Sequence, residues 1–288
     1  MNITFIRRKG LGKKSVNGII REWKKINNNV NIDVIRSDAP LHEMDNMTYI
    51  RWGCTSFQRL EKRNIPVINP HQTISIVNNK CNFRYNLQYK IPENIPPTIF
   101  YAEDFTSKDF NDNQIWLGRP SYHSQGKNCT IIKNMNDLDN DMTSTYWSKY
   151  IKKDKEYRVY MMFDYVAAIA EKVVDDRDAI LWNKFQVNST FENIRWNDWP
   201  INILDVAFIT DITLSGLHFS GIDIMVKDNI PYVLEVNSAP TISSLYCQKV
   251  FAKIFNWELC KGENEKNIKI EYNRDYKKYI HPALLENN

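Results

Sequence analysis

Near the carboxyl third the chain reads Gly221-Ile222-Asp223-Ile224-Met225-Val226, then Lys227-Asp228-Asn229, then Tyr232-Val233-Leu234-Glu235-Val236-Asn237-Ser238-Ala239-Pro240. Two apolar runs of period two around a Lys-Asp-Asn turn predict an antiparallel hairpin. Alternate side chains of a strand share a face, so Glu235 and Asn237 point the same way. Pairing across the turn can bring Asp223 opposite Glu235. Two carboxylates and an amide oxygen then converge among Ile, Val and Leu side chains, where uncompensated charge is costly. A hard divalent cation, magnesium bridging phosphate oxygens, relieves that cost. The competing interpretation is a solvated hairpin face with ordinary surface acids. Asn-Ser-Ala-Pro weakens it by ending the strand with its last polar side chain beside the two acids.

Gly-Ile-Asp-Ile, followed by Leu-Glu-Val-Asn-Ser-Ala-Pro with Glu235 twelve residues beyond Asp223, resembles the metal-binding end of the ATP-grasp ligases. That superfamily includes D-alanine–D-alanine ligase, glutathione synthetase and the ligases that add glutamate to a ribosomal protein. The resemblance spans about residues 72–258 in order of elements and is sharp in a few motifs. It implies an α/β (α+β) fold of the ATP-grasp type, a small N-terminal parallel α/β domain followed by two lobes clamping a nucleotide. The expected divisions are 1–71 for a Rossmann-like N-terminal domain, 72–150 for a small lobe with a phosphate flap, 151–260 for a large lobe with the metal site, and 261–288 for a charged tail. The resemblance further implies that Asp223, Glu235 and Asn237 hold magnesium against the phosphates of ATP, as two ions, with manganese as a substitute.

Composition sets the outer bounds. A chain of 288 residues can bury a substantial core as one large domain or a few small lobes. The formal charge of +4 suits an anionic ligand such as a nucleotide and does not indicate nucleic-acid binding. Five scattered cysteines without a CxxC pair argue against a disulfide framework or zinc site and for reduced cytosolic thiols. No apolar run approaches a membrane span, so a soluble, cytoplasmic protein is expected. The abundance of Asn, Lys and Ile fits an AT-rich genome, including a phage.

Residues 1–71 alternate strand and helix signals, which predicts a small parallel sheet with helices on its faces. Ligands of such sheets bind beyond the carboxyl ends of the strands. The basic loop Arg7 to Ser15 and the segment Arg51-Trp52-Gly53-Cys54 occupy such ends. The loop lacks P-loop spacing, because Gly12-Lys13 is followed by Lys14. It reads as a solvated basic loop or an anion site. The groups around Arg7, Arg8, Arg51 and Trp52 suggest an acidic or planar acceptor.

A helix is expected over 72–90, ending at the run from Pro92 to Pro97. Lys80 on it occupies the place where the family often has a lysine reaching the nucleotide. A strand follows at Thr98 to Tyr101, and then a strand–loop–strand around Arg119, Pro120 and Gly126. Such a loop can fold over phosphates with its backbone N–H groups, Gly126 permitting close approach. The family carries a Lys-Pro pair before a glycine-rich flap; Arg119-Pro120 stands there instead and keeps a positive, bidentate head. His123 and Lys127 flank the flap, within reach of a transferring phosphate, and titration of His123 would then enter the pH profile.

Lys155 to Val173 predicts a second hairpin, with Arg158, Tyr160 and Met162 on one face of its first strand and Tyr157, Val159 and Met161 on the other. Glu-Tyr-Arg-Val-Tyr resembles the family strand whose Arg faces the phosphates, which implies a charge-stabilising role for Arg158. Lys149, Tyr150 and Ile151 lie where the family's interlobe hinge pairs with adenine. Lys172 and Asn183 lie where relatives place further polar contacts. Helices are expected over 201–213 and 243–255, and the charged tail reads as an appended arm.

The implied activity is an ATP-dependent carboxylate–amine ligase working through an acyl phosphate. Two alternatives are a binding module that keeps the nucleotide site without ligation and a kinase of the same fold. Small molecules, peptides and protein side chains are all admissible carboxylate or amine partners, as is a nucleotide acceptor.

Overall fold

The computed structural model describes residues 1–41, 47–123, 128–182, 187–214, 216–262 and 278–285. Its first unit is the expected parallel sheet. Strands β1 (Asn2–Arg7), β2 (Asn31–Arg36), β3 (Met47–Trp52) and β4 (Val67–Ile68) lie in the order β2-β1-β3-β4, with α1 (Lys13–Ile26) and the short α2 (Arg59–Lys62) between them. Val16, Ile19 and Trp23 of α1 recur at three to four residues and are buried, the apolar stripe of a helix packed on a sheet.

The helix expected over 72–90 is two helices, α3 (His71–Asn78) and α4 (Lys80–Lys90). Asn79 breaks the run with an extended ψ of 95°, and its side chain accepts the Asn82 N–H as the cap of α4. An asparagine that satisfies a free helix-end donor favours a new start over continuation. Beyond α4 a short antiparallel sheet forms from β5 (Thr98–Ile99), β6 (Trp116–Arg119), β7 (Thr130–Ile132) and, after α5 (Met135–Asp139), β8 (Tyr146–Lys149), in the order β5-β8-β6-β7.

The largest sheet is antiparallel, in the order β11-β10-β9-β12-β13. It comprises β9 (Lys155–Met162), β10 (Tyr165–Val174), β11 (Ser189–Ile194) and, after α6 (Ile201–Thr213), β12 (Phe219–Lys227) and β13 (Ile230–Asn237). Strand β9 shows its period of two in the packing. Tyr160 and Met162 join the core shared with α1, the parallel sheet and α7 (Leu245–Cys260). Tyr157, Val159 and Met161 join the core on the other face, with residues of α3, α4 and α6. Trp23 stacks on Phe255 of α7 at 5.5 Å and Trp52 on Phe219 of β12 at 4.8 Å. The second contact joins the parallel sheet to the large one, and the first joins α1 to α7.

Residues 278–285, part of the tail expected as an appended arm, pack against the body of the protein. Tyr279, Ile280 and His281 are buried, Ile280 bridges to Val166, and Ala283 of α8 (Pro282–Leu285) sits in the core. Apolar residues within an otherwise charged tail supply the anchor. All five cysteines are free. No described helix is long and apolar enough to cross a membrane.

Candidate functional site

The hairpin β12–β13 turns at Asp228-Asn229, both with positive φ (50° and 63°), closing Lys227 against Ile230. Such a two-residue turn continues a regular ladder, and here it pairs Val226 with Pro231, Met225 with Tyr232 and Ile224 with Val233. Continued unchanged, that ladder would set Asp223 against Leu234 and turn Glu235 to the opposite face. A bulge at this point shifts the register by one, so that Asp223 pairs with Glu235 and Gly221 with Asn237. β13 is the sheet edge, so its outward carbonyls need donors. Arg84 supplies one to Leu234 O at 2.8 Å and Lys80 one to Val236 O at 2.8 Å. These two cations, one turn apart on α4, hold the backbone on either side of Glu235.

Asp223 also pairs with Arg158 of β9, which makes a charged row across three strands: Arg158, Asp223, Glu235. Arg158 donates from Nε to Asp223 Oδ1 at 2.7 Å and from Nη2 to Oδ2 at 2.8 Å. Asn237 donates from Nδ2 to Glu235 Oε1 at 2.9 Å and reaches Asp223 Oδ2 at 3.4 Å. The two acids are held differently. Burial, with the Glu235 charge adding to it, pushes the Asp223 carboxyl up to about 6 against the pull of Arg158. Burial also opposes ionisation of Glu235, but the Lys80 ammonium, 3.9 Å away, and the Asn237 bond bring it down to about 2.

Among the described residues no group of three or more His, Cys, Asp or Glu side chains is set to hold a metal. A metal here would take two carboxylates and, once the amide turns its oxygen rather than Nδ2 toward them, Asn237, an all-oxygen set suited to a hard cation such as magnesium. The row therefore fits the expected ion in donor chemistry, with Arg158 sharing the Asp223 oxygens.

This row opens into a cavity of ≈ 390 Å³ between the two antiparallel sheets. Arg84, Arg119 and Arg158 line it, as do Lys149, Tyr150, Ile151, Lys153 and Lys172. Arg84 Nε and Nη1 and Arg119 Nε are buried without a hydrogen-bond partner among the described residues. Unpaired buried donors are costly, and an anion entering the cavity would satisfy them. His123 lines the cavity too and binds Tyr146 Oη through Nε2 at 2.9 Å. Burial and then the neighbouring Arg119 push it down to about 4, which leaves the imidazole neutral near pH 7.

At the far end Lys172 donates to Glu156 at 2.7 Å, and Lys153, over the Trp182 ring at 4.6 Å, bonds the same carboxylate. Tyr150 N–H is taken by Ile115 O, and Lys149 N–H by Pro97 O. Gly126, Lys127 and Asn183 lie outside the described residues. Sequence reasoning missed Arg84, Lys153 and Glu156. Arg84 had a signal, since it lies four residues beyond Lys80 on the same helical face. Glu156 opens the Glu-Tyr-Arg-Val-Tyr run but drew no role there, and Lys153, two residues before β9, had no signal.

Two acceptor-side expectations are overturned. Arg51 is fully buried and forms a bidentate pair with Glu61, also donating to Ser56 O and Phe57 O. Trp52 is likewise buried, inside the aromatic core. Consecutive residues of a strand covered on both faces have no solvent side to offer.

No protein-family model matches the chain, and no curated protein does. Solved structures do. D-alanine–D-alanine ligase from Bacillus anthracis complexed with ATP aligns at TM-score 0.58 and 19% identity over 83% of this chain and 86% of the ligase. The ATP-grasp ligase PsnB complexed with minimal precursor, Mg and ADP aligns at TM-score 0.58 and 13% identity, over 87% and 96%. A RimK domain ATP-grasp protein from Sphaerobacter thermophilus aligns at TM-score 0.62 and 11% identity, over 88% and 98%. The chain has the ATP-grasp fold.

Proposed function

We propose that the chain is an ATP-dependent ligase that joins a carboxylate to an amine through an acyl phosphate, releasing ADP and phosphate. The observation that carries this reading is the convergence, in one cavity, of the Asp223 and Glu235 carboxylates and the Asn237 amide with Arg84, Arg119 and Arg158. The structural neighbours bound to ATP, and to Mg and ADP, agree with it in fold. The layout proposed for 1–71, 72–150 and 151–260 follows, with a parallel-sheet domain, a small lobe and a large lobe.

In this reading Arg84 and Arg119 donate to phosphate oxygens, filling the valences they leave open. Lys149, Tyr150 and Ile151 border the adenine, with Leu117, Met225 and Leu234 as apolar walls. Glu156, held by two lysines, faces the ribose end. Asp223, Glu235 and Asn237 would hold magnesium, as two ions and replaceable by manganese, and the charge supplied there would offset that of the phosphates. Arg158 adds fixed positive charge where the phosphoryl group transfers, and little further chemistry is asked of the protein. The substrate carboxylate attacks the γ-phosphorus, the bond to the β-phosphate oxygen breaks, and the amine later expels phosphate from the acyl carbon. A cytoplasmic setting, where ATP and free thiols coexist, is part of the proposal.

The test is a hydroxylamine trap: the chain, ATP, magnesium and a panel of carboxylic acids. Hydroxamate formed together with ADP supports the ligase. A stable phosphoester would show a kinase instead, and neither product with any acid would leave a binding module.

A further inference from the structure

A second cavity, of ≈ 580 Å³, lies beyond the carboxyl ends of the parallel strands. Arg8 follows β1, Ser37 follows β2 and Thr55 follows β3, and all three line it. Lys80 and the end of β13 close the opposite side. Leu11, His123, Asn237 and Ala239 line both cavities, so the two spaces meet beside the carboxylate row. We propose that this second cavity binds the acid substrate, and that the acid is small, hydrophilic and carries a second anionic group held by Arg8. The proposal rests on the ligase reading only in calling the ligand a substrate.

The chemistry of the walls carries it. Arg8 and Lys80 are the cations of this lining, and no Asp or Glu accompanies them. Lys80 is already engaged by Val236 O and Glu235. Arg8 has no ion pair among the described residues, whereas its neighbours Lys9 and Arg36 both pair with Asp38. His123 is neutral, and most other lining groups are hydroxyls and amides; Leu11 and Ala239 are the branched or methyl-bearing aliphatic exceptions. A hydrocarbon chain would strip water from those polar groups without replacing its hydrogen bonds. An ammonium group would meet Arg8 and no carboxylate. A second anion gains a charge-assisted bond to Arg8 while the reacting carboxylate lies at the junction beside Asn237. The volume is that of a small-molecule site.

Carboxylate and phosphate would satisfy Arg8 equally, so the probes separate them. Calorimetric titration of the full chain with glutarate, 3-phosphonopropionate and valerate compares two dianions with a monoanion of similar size. At least one dianion should bind about tenfold or more tighter than valerate, and the better of the two identifies the second group. Arg8→Ala should remove that preference. Ser37→Asp, which puts a carboxylate on the wall and leaves Arg8 in place, should remove it as well. Valerate binding as tightly as both dianions, or a preference that survives both substitutions, overturns the proposal. A parallel titration with a non-hydrolysable ATP analogue and magnesium separates the two readings. Analogue binding without dianion preference sinks this inference alone; dianion preference without analogue binding keeps the site and removes the ligase.

Discussion

Asp223 lies opposite Glu235 because the ladder bulges at Leu234, one residue before the glutamate. The bulge sets two carboxylates face to face and splits their protonation, with Asp223 raised to about 6 and Glu235 lowered to about 2. A divalent cation needs both ionised. Magnesium affinity should therefore be constant above about pH 7 and fall about tenfold per pH unit once the pH drops below 6. Magnesium titrations at pH 5, 6 and 7.5 check this, and a flat response down to pH 5 would contradict it.

Arg158 and Asp223 form a nearly buried pair, with side chains 13% and 8% exposed. Removing one partner of such a pair leaves a desolvated charge, at a cost of roughly 3–5 kcal/mol. Arg158→Ala should lose stability on that scale without metal and lose about 100-fold in rate. Magnesium should raise its melting temperature by more than it raises that of the unsubstituted chain, because the cation then compensates Asp223. Equal shifts would show that Asp223 is not a ligand.

Much of this was legible in the sequence, though unevenly. The two faces of β9, the span of α6 and the shared side of Glu235 and Asn237 follow from periodicity, which burial enforces. The bulge was not legible. The sequence lets Asp223 pair with Glu235, but the two-residue turn at Asp228-Asn229 alone would set Leu234 there; the pairing is reached through a bulge, beside which Arg84 and Lys80 donate to the β13 backbone. The break at Asn79 was hidden for a related reason, since helical spacing continues through it while the capping bond does not. Arg51 and Trp52 misled because strand position says nothing about what covers the strand.

Gly53 and Gly10 both have positive φ, 68° and 78°, but differ in surroundings. A Cβ on Gly53 would lie 2.4 Å from the Ala239 Cβ, while one on Gly10 meets nothing within 4 Å. Gly10→Ala should cost about 1 kcal/mol, the backbone penalty alone. Gly53→Ala should cost about 1–3 kcal/mol more and weaken nucleotide binding by displacing the Ser238-Ala239 segment from the site. Urea denaturation of both variants makes the comparison; equal losses would mean that the parallel sheet does not brace the end of β13.

Asp211 is 5% exposed, and its Oδ1 has no hydrogen-bond partner among the described residues. Burial, with Asp164 nearby, raises its carboxyl to about 7 from 3.8. Between those values the folded chain keeps a proton that the unfolded chain releases, so stability declines as pH rises through the window and stays low above it. Asp211→Asn should stabilise the protein by up to roughly 4 kcal/mol at pH 8 and leave it little changed at pH 4. Denaturation curves at the two pH values test this, and a gain of the same size at both would contradict it.

The most direct test of the nucleotide site is calorimetric binding of a non-hydrolysable ATP analogue, with and without magnesium, to the chain and to Glu235→Gln. Removing one anionic ligand while keeping the shape should leave the fold intact. The account predicts tight binding that depends on magnesium in the unsubstituted chain, and loss of that dependence in the variant. Magnesium-independent binding of equal strength by both folded proteins would contradict it.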